Sequence, residues 1–211
     1  MSETWCPFAV RDDGPSNKWG YVDHTYRSRK GIIVHSTEGS FEGALTILHS
    51  GAQKSWTFTL SEDGRLYQHY PLEACLWHAK TPAGYYYSAV ETEGFAGDPI
   101  DGPQLDMLVN LIRWQSQVEQ WESFTRGVRN SPDEATQPLW EHNQWVATAC
   151  PSGRVPWAEI QMRLTAPSAP DELTILRALI SAGQFVRMGW NLADLAEVDK
   201  AAILHATRQF N

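Results

Sequence analysis

The run Gly31-Ile32-Ile33-Val34-His35-Ser36-Thr37 constrains this chain more than any other segment. Three β-branched residues in a row favour extended backbone, and a short apolar run closed by polar residues reads as a buried strand. A buried strand needs neighbours and covering layers, so the rest of the chain must supply both. The strand also carries His35 and Ser36 to the edge of the sheet it belongs to.

The flanking sequence supplies those layers. Phe41, Ala44, Leu45 and Leu48 fall at helical spacing over 41–49, and Ser50-Gly51 stops that helix. Ser55–Leu60 alternates, Asp63-Gly64 turns, and Arg65–His69 returns, which predicts a hairpin. Leu76–Ala79 reads as a loop, and Ser88–Thr92 as a further strand. Leu105, Leu108, Val109, Ile112, Val118 and Trp121 share one face of a helix predicted over 103–121, with Pro103 near its start. Residues 122–140 read as polar loop, 141–157 as a turn of helix followed by Thr148-Ala-Cys-Pro-Ser-Gly153, and 154–164 as helix. These elements predict an α/β fold with a mixed central β-sheet flanked by helices. Residues 1–30 form an N-terminal wrapping segment, 31–165 the main domain, and 166–211 a Pro-rich linker with a short C-terminal helical extension.

Composition narrows the function. With 25 acidic against 17 basic residues the net charge is −8, which argues against nucleic acid and anionic membrane as partners. With 42% apolar residues and ten tryptophans the chain can bury a full core. No window approaches the ~20 apolar residues of a membrane-crossing helix, so no membrane insertion is expected. Met1-Ser2-Glu3-Thr4-Trp5 has neither the basic nor the apolar region of a secretory signal peptide. Cys6, Cys75 and Cys150 are an odd number and far apart. That pattern fits a reducing compartment, with one cysteine kept for chemistry.

Among seven histidines, His35 ends the buried strand, and His142 and Cys150 flank a short loop closing in Cys-Pro. Two imidazoles and a thiolate are a ligand set of catalytic zinc, whose fourth place is left to water. The competing reading is a hydrogen-bonded histidine pair and a buried thiol acting as a small apolar group. His24, His49, His69 and His205 carry no assigned role, and Cys6 and Cys75 read as structural thiols.

Five landmarks occur in order: Ile33-Val34-His35-Ser36-Thr37, Glu62-Asp63-Gly64-Arg65-Leu66-Tyr67-Gln68, Trp77-His78-Ala79, Val90-Glu91, and His142 followed by Thr148-Ala149-Cys150-Pro151. Over residues 30–160 this series resembles the type 2 N-acetylmuramoyl-L-alanine amidases, which include phage lysins, bacterial amidases and peptidoglycan recognition proteins. The resemblance implies one zinc ion per chain, held by His35, His142 and Cys150. It implies hydrolysis of the amide between N-acetylmuramic acid and L-alanine in bacterial peptidoglycan. Glu91 matches the family's acid, a general base, with an ion pair or a helix cap as its structural alternative. Thr148 stands where some members have lysine, and its hydroxyl suits an oxyanion. Trp56 stands where many members have tyrosine, and its indole N–H donates once. Trp77 and His78 match a loop beside the family's cleft and are expected to touch substrate, the alternative being a loop-packing Trp with a partly exposed His, and Lys80 stands in a glycine place. Ser152 also replaces a glycine, and Tyr85-Tyr86-Tyr87 either stacks on sugar or packs on a neighbour.

The same resemblance orders the functional readings. A phage endolysin made in the host bacterial cytoplasm and then released to the wall fits best. Recycling amidases tend to carry Asp as third ligand where this chain has Cys150. A non-catalytic peptidoglycan-binding module typically lacks a ligand, whereas all three are present here. The oligomeric state is not set by the sequence.

Overall fold

The structure is a computed structural model that describes residues 3–18, 29–80, 83–130 and 136–166. Its elements run β1 (Val10–Arg11), β2 (Gly31–Ser36), α1 (Phe41–His49), β3 (Phe58–Leu60), β4 (Leu66–Gln68), α2 (Ala83–Tyr86), β5 (Tyr87–Thr92), α3 (Gly102–Glu119), β6 (Leu139–Glu141) and α4 (Trp157–Thr165). The strands form one six-stranded sheet in the order β1-β4-β3-β5-β2-β6. β3, β5, β2 and β6 are parallel to their neighbours, and β4 turns back antiparallel on β3. The sheet is therefore mixed and flanked by helices, as expected. The linker and helical extension expected over 166–211 lie outside the described residues apart from Ala166.

All six residues of β2 are buried, because strands flank it on both sides and helices lie over both faces. Strand side chains alternate between faces. Ile32 and Val34 pack with Leu105, Leu108 and Ile112 of α3 and Ile160 of α4. Ile33 points the other way, onto Ala83, Tyr87 and Trp140. His35 shares the Ile33 face by the same alternation, away from α3. Each fully buried aliphatic side chain of this core contributes about 1.5–3 kcal/mol. Ser40 caps α1 by accepting the Gly43 N–H at 3.1 Å, which sets the start of that helix. Among the described residues no helix is long and apolar enough to cross a membrane.

Four departures from the sequence reading have local causes. β6 lies partly inside the stretch expected as loop: three residues show no period, and tertiary contact alone makes them strand. Its neighbour Pro138 presses so close to β2 that a Cβ on Gly31 would come within 2.0 Å of the Pro138 carbonyl oxygen. α2 is a single turn between the Trp77 loop and β5, too short for a helical pattern. α4 begins at Trp157 rather than Arg154, because Pro156 disfavours helix at the residue before it. The N-terminal segment contributes a sheet edge: β1 runs parallel to β4, and Gly14 extends the contact by donating to the His69 carbonyl at 2.9 Å.

That edge closes over a buried polar chain. Trp56 Nε1 donates to Thr59 Oγ1 at 2.8 Å, Thr59 Oγ1 meets His69 Nε2 at 2.8 Å, and His69 Nδ1 donates to the Asp12 carbonyl at 2.9 Å. A carbonyl only accepts, so Nδ1 carries the proton and Nε2 takes the Thr59 hydroxyl proton. Burial pushes the His69 pKa down to about 4, against the raising effect of Asp12. Between pH 6.5 and about 4 the unfolded chain therefore binds a proton that the folded chain refuses. This contribution to stability is complete above the unfolded pKa and is lost as pH falls through that window. At 1.36 kcal/mol per unit it amounts to about 3 kcal/mol. Urea unfolding at pH 7 and pH 4 should show His69→Gln losing about 3 kcal/mol less stability than the parent chain between the two. An equal loss in both would contradict the assignment.

Candidate metal centre

The carboxyl ends of parallel strands are where α/β sheets gather functional groups, and three such ends meet here. His35 is the fifth residue of β2, and its register partner on β5 is Glu91. Glu91 is in turn paired with Thr59 of β3. β6 ends at Glu141, so His142 leaves the sheet beside β2 at once. A capping box fixes this exit: the Glu141 carboxylate accepts from the Gln144 backbone, and the Gln144 side chain accepts from Glu141 N–H at 2.9 Å. The Asn143 N–H donates to the Cys150 carbonyl at 2.8 Å and closes the loop that returns Cys150 to the same place.

One ligand atom from each of His35, His142 and Cys150 lies within 4.8 Å of the others. The His35 and His142 rings are 4.3 Å apart between centroids. Cys150 Sγ accepts the Ser36 N–H at 3.2 Å, so the residue after one donor orients another. His35 Nε2 is buried with no hydrogen-bond partner. A polar atom buried without a partner costs roughly 1–3 kcal/mol, which a ligand at that atom would offset.

The electrostatics favour a cation. Burial pushes the Cys150 thiol up to about 12, and the nearby Glu91, Glu38 and Glu141 carboxylates push it further in the same direction. Burial holds His35 well below its ordinary range, with His78 and His142 adding to the effect. His142 is also lowered, by burial first and by Lys54 second. Two neutral imidazoles and a thiol beside carboxylates are a soft, electron-rich donor set of the kind a divalent ion such as zinc takes.

Glu91 Oε1 lies 3.8 Å from His35 Nδ1, and the Glu91 side chain is 17% exposed. Its Oε2 has no partner, and burial raises its pKa to about 8 against the lowering pull of Lys54. An acid in that range exchanges protons near neutral pH. Lys54, exposed in the loop before β3, is the group that sequence reasoning missed: its charge reaches both Glu91 and His142. Nothing local in the sequence marks it, because its place depends on how that loop folds back. Ser55 pins the loop, donating to the Lys18 carbonyl at 2.9 Å and accepting the Trp77 N–H at 2.9 Å.

A cavity of about 580 Å³ opens beside the cluster, lined by Trp77, His78, Lys80, Tyr85, His142 and Val146 among others. His78 is buried, its ring centroid 5.4 Å from that of His35. Burial drives its pKa to about 3, so the ring is neutral. Its Nε2 donates to the Tyr87 carbonyl at 3.2 Å, which leaves Nδ1 as an unpartnered acceptor. Thr148 is exposed, and its hydroxyl accepts the Cys150 N–H at 3.3 Å. Trp56 does not join them. It is 4% exposed, packs with Ala44, Leu48 and Ala89, and spends its only donor on Thr59, so it is a core residue and not a substrate contact. Tyr87 begins β5 and packs on Trp140, while Tyr85 lines the cavity.

Comparison with known proteins gives a matching family and a shared fold. The sequence profile of the family described as N-acetylmuramoyl-L-alanine amidase matches residues 25–153. No curated protein shows significant sequence similarity to the chain. Among solved structures, the chain is similar to N-acetylmuramoyl-L-alanine amidase LysC from Clostridium intestinale URNW at TM-score 0.55 and 18% identity, over 77% of this chain and 100% of that one. A selenomethionine derivative of AmpD gives TM-score 0.60 at 16% identity, over 78% and 99%. A mutant endolysin from Bacillus subtilis gives 0.54 at 20%, over 74% and 97%. At these identities the structural likeness is one of fold.

Proposed function

The chain belongs to the N-acetylmuramoyl-L-alanine amidase family, and from that premise we propose that it hydrolyses the amide joining N-acetylmuramic acid to L-alanine in peptidoglycan, with one zinc ion per chain. The observation that carries the proposal is the convergence of His35, His142 and Cys150 within 4.8 Å, beside a partly buried carboxylate and an open cavity. Zinc bound by these three would polarise the amide carbonyl and acidify a water.

The chain's own groups divide the remaining work. Glu91 takes the proton of the attacking water and returns it to the leaving amine, a task suited to a carboxyl group that burial holds above the ordinary carboxylate range. The Thr148 hydroxyl, whose lone pair already faces the Cys150 N–H, keeps its own proton to donate to a developing oxyanion. Trp77 and His78 line the cavity and contact the substrate. The full donor set supports this reading over a binding module without catalysis.

The biological setting we infer is a phage endolysin, made in the host cytoplasm before reaching the wall. It is supported by fold similarity to endolysins from Clostridium intestinale URNW and Bacillus subtilis and by Cys150 as third donor.

The test is the chemistry of the products. Incubation with purified peptidoglycan should release new alanine amino termini in step with the fall in turbidity, with no new reducing sugar ends. Reducing ends without amino termini would mean a glycosidase, and binding without either product would mean a wall-binding module.

A further inference from the structure

Arg154 is 5% exposed and makes no direct ion pair among the described residues, while Asp98, Glu38 and Glu62 act on it only through their charge. A buried guanidinium without a counter-ion is costly unless its donors are used. Here four of the five N–H groups are used, on backbone and hydroxyl oxygens at the ends of β2 and β5 and in the loop after β5. Nη1 donates to Ser36 Oγ at 2.9 Å and to the Thr92 carbonyl at 3.3 Å. Nη2 donates to the Glu93 carbonyl at 2.6 Å, and Nε to the Asp98 carbonyl at 2.8 Å.

These contacts fall at chemically significant places. Ser36 follows His35, and its N–H donates to Cys150 Sγ at 3.2 Å. Thr92 follows Glu91, and its hydroxyl donates to the His35 carbonyl at 2.7 Å. Arg154 itself closes the turn after Cys150, its N–H donating to the Pro151 carbonyl at 3.2 Å, and Ser152 in that turn donates to Glu38 Oε1 at 2.7 Å. The chain makes room for the guanidinium: a Cβ on Gly94 would sit 2.2 Å from Nη2, and the φ of +127° there suits only glycine.

We propose that Arg154 is the positioning residue of the metal centre, one side chain that locks the strand end bearing His35, the strand end bearing Glu91 and the turn bearing Cys150 into a single geometry. It rests on the reading of this centre as a metal site. The planar fork is what allows one residue to reach several acceptors in fixed directions, and a lysine ammonium cannot reproduce it.

Cobalt(II) titration of the metal-free chain separates the outcomes, with parent, Arg154→Lys and Arg154→Met compared. The parent should bind one cobalt with a thiolate-to-metal charge-transfer band. Both variants should bind it roughly 10- to 100-fold more weakly, the usual cost of losing a group that orients metal ligands. Their charge-transfer band per bound cobalt should be weaker, while the metal-free Arg154→Lys chain keeps the parent's far-UV spectrum. Parent-like affinity and band in Arg154→Lys would overturn the proposal. So would cobalt loss that merely tracks unfolding of the metal-free variants, which marks a general structural role. A parent chain that binds no cobalt would instead overturn the metal reading of the centre itself.

Discussion

Cys150→Ser is expected to lose both bound zinc and peptidoglycan hydrolysis while keeping its fold. Weakening a group that only orients a metal ligand already costs about 10- to 100-fold in affinity or activity, so removing a ligand should exceed a 100-fold loss. A serine hydroxyl is hard and stays protonated at neutral pH, whereas zinc takes thiolate readily. The fold should tolerate the change, because the Ser36 N–H still meets an acceptor and the loop remains closed by the Asn143 contact. Metal content by atomic emission, amino-terminus release and thermal unfolding of the metal-free chain read the three parts separately. Retained zinc with lost activity would move Cys150 out of the ligand set.

Glu91→Gln should give the second large effect, of the opposite kind: slower chemistry with metal retained. General acid–base groups contribute about 10²–10⁴-fold, and glutamine keeps the shape while losing the exchangeable proton. The same substitution removes a carboxyl group whose Oε2 is buried without a partner. Stability of the metal-free chain should therefore hold or rise, as happens when a site is built at the expense of the fold. A kcat within threefold of the parent would remove Glu91 from catalysis. Loss of zinc together with activity would instead assign it to holding His35, whose Nδ1 lies 3.8 Å away.

Legibility in the sequence followed the range of the interactions. β2, α1, the β3–β4 hairpin and α3 depend on local pattern, cap and turn residues, so each is visible in a window of a few residues. β6 is three residues that become strand only by lying against β2, and no local pattern announces that. The donors His35, His142 and Cys150 were legible through ordered landmarks rather than spacing, since a gap of over a hundred residues carries no geometry. Trp56 misled because position in a motif does not fix direction. It lies two residues before β3, and its indole packs under α1, in a different cluster from Phe58 and Leu60, where Thr59 satisfies its N–H. Arg154 falls within a helical pattern that Pro156 interrupts, and its buried contacts join segments far apart in sequence, which no local window shows. Lys54 is an exposed lysine in a loop, the least informative of residue types until the loop is placed.

The central claim is that one metal ion at His35, His142 and Cys150 is required for amide hydrolysis. Stripping the full chain with a chelator and titrating zinc back, with amino-terminus release from peptidoglycan as the signal, tests it most directly. The account predicts no hydrolysis in the stripped chain and a linear recovery that levels off at one zinc per chain. Hydrolysis that survives stripping, or recovery that continues well beyond one equivalent, would contradict it.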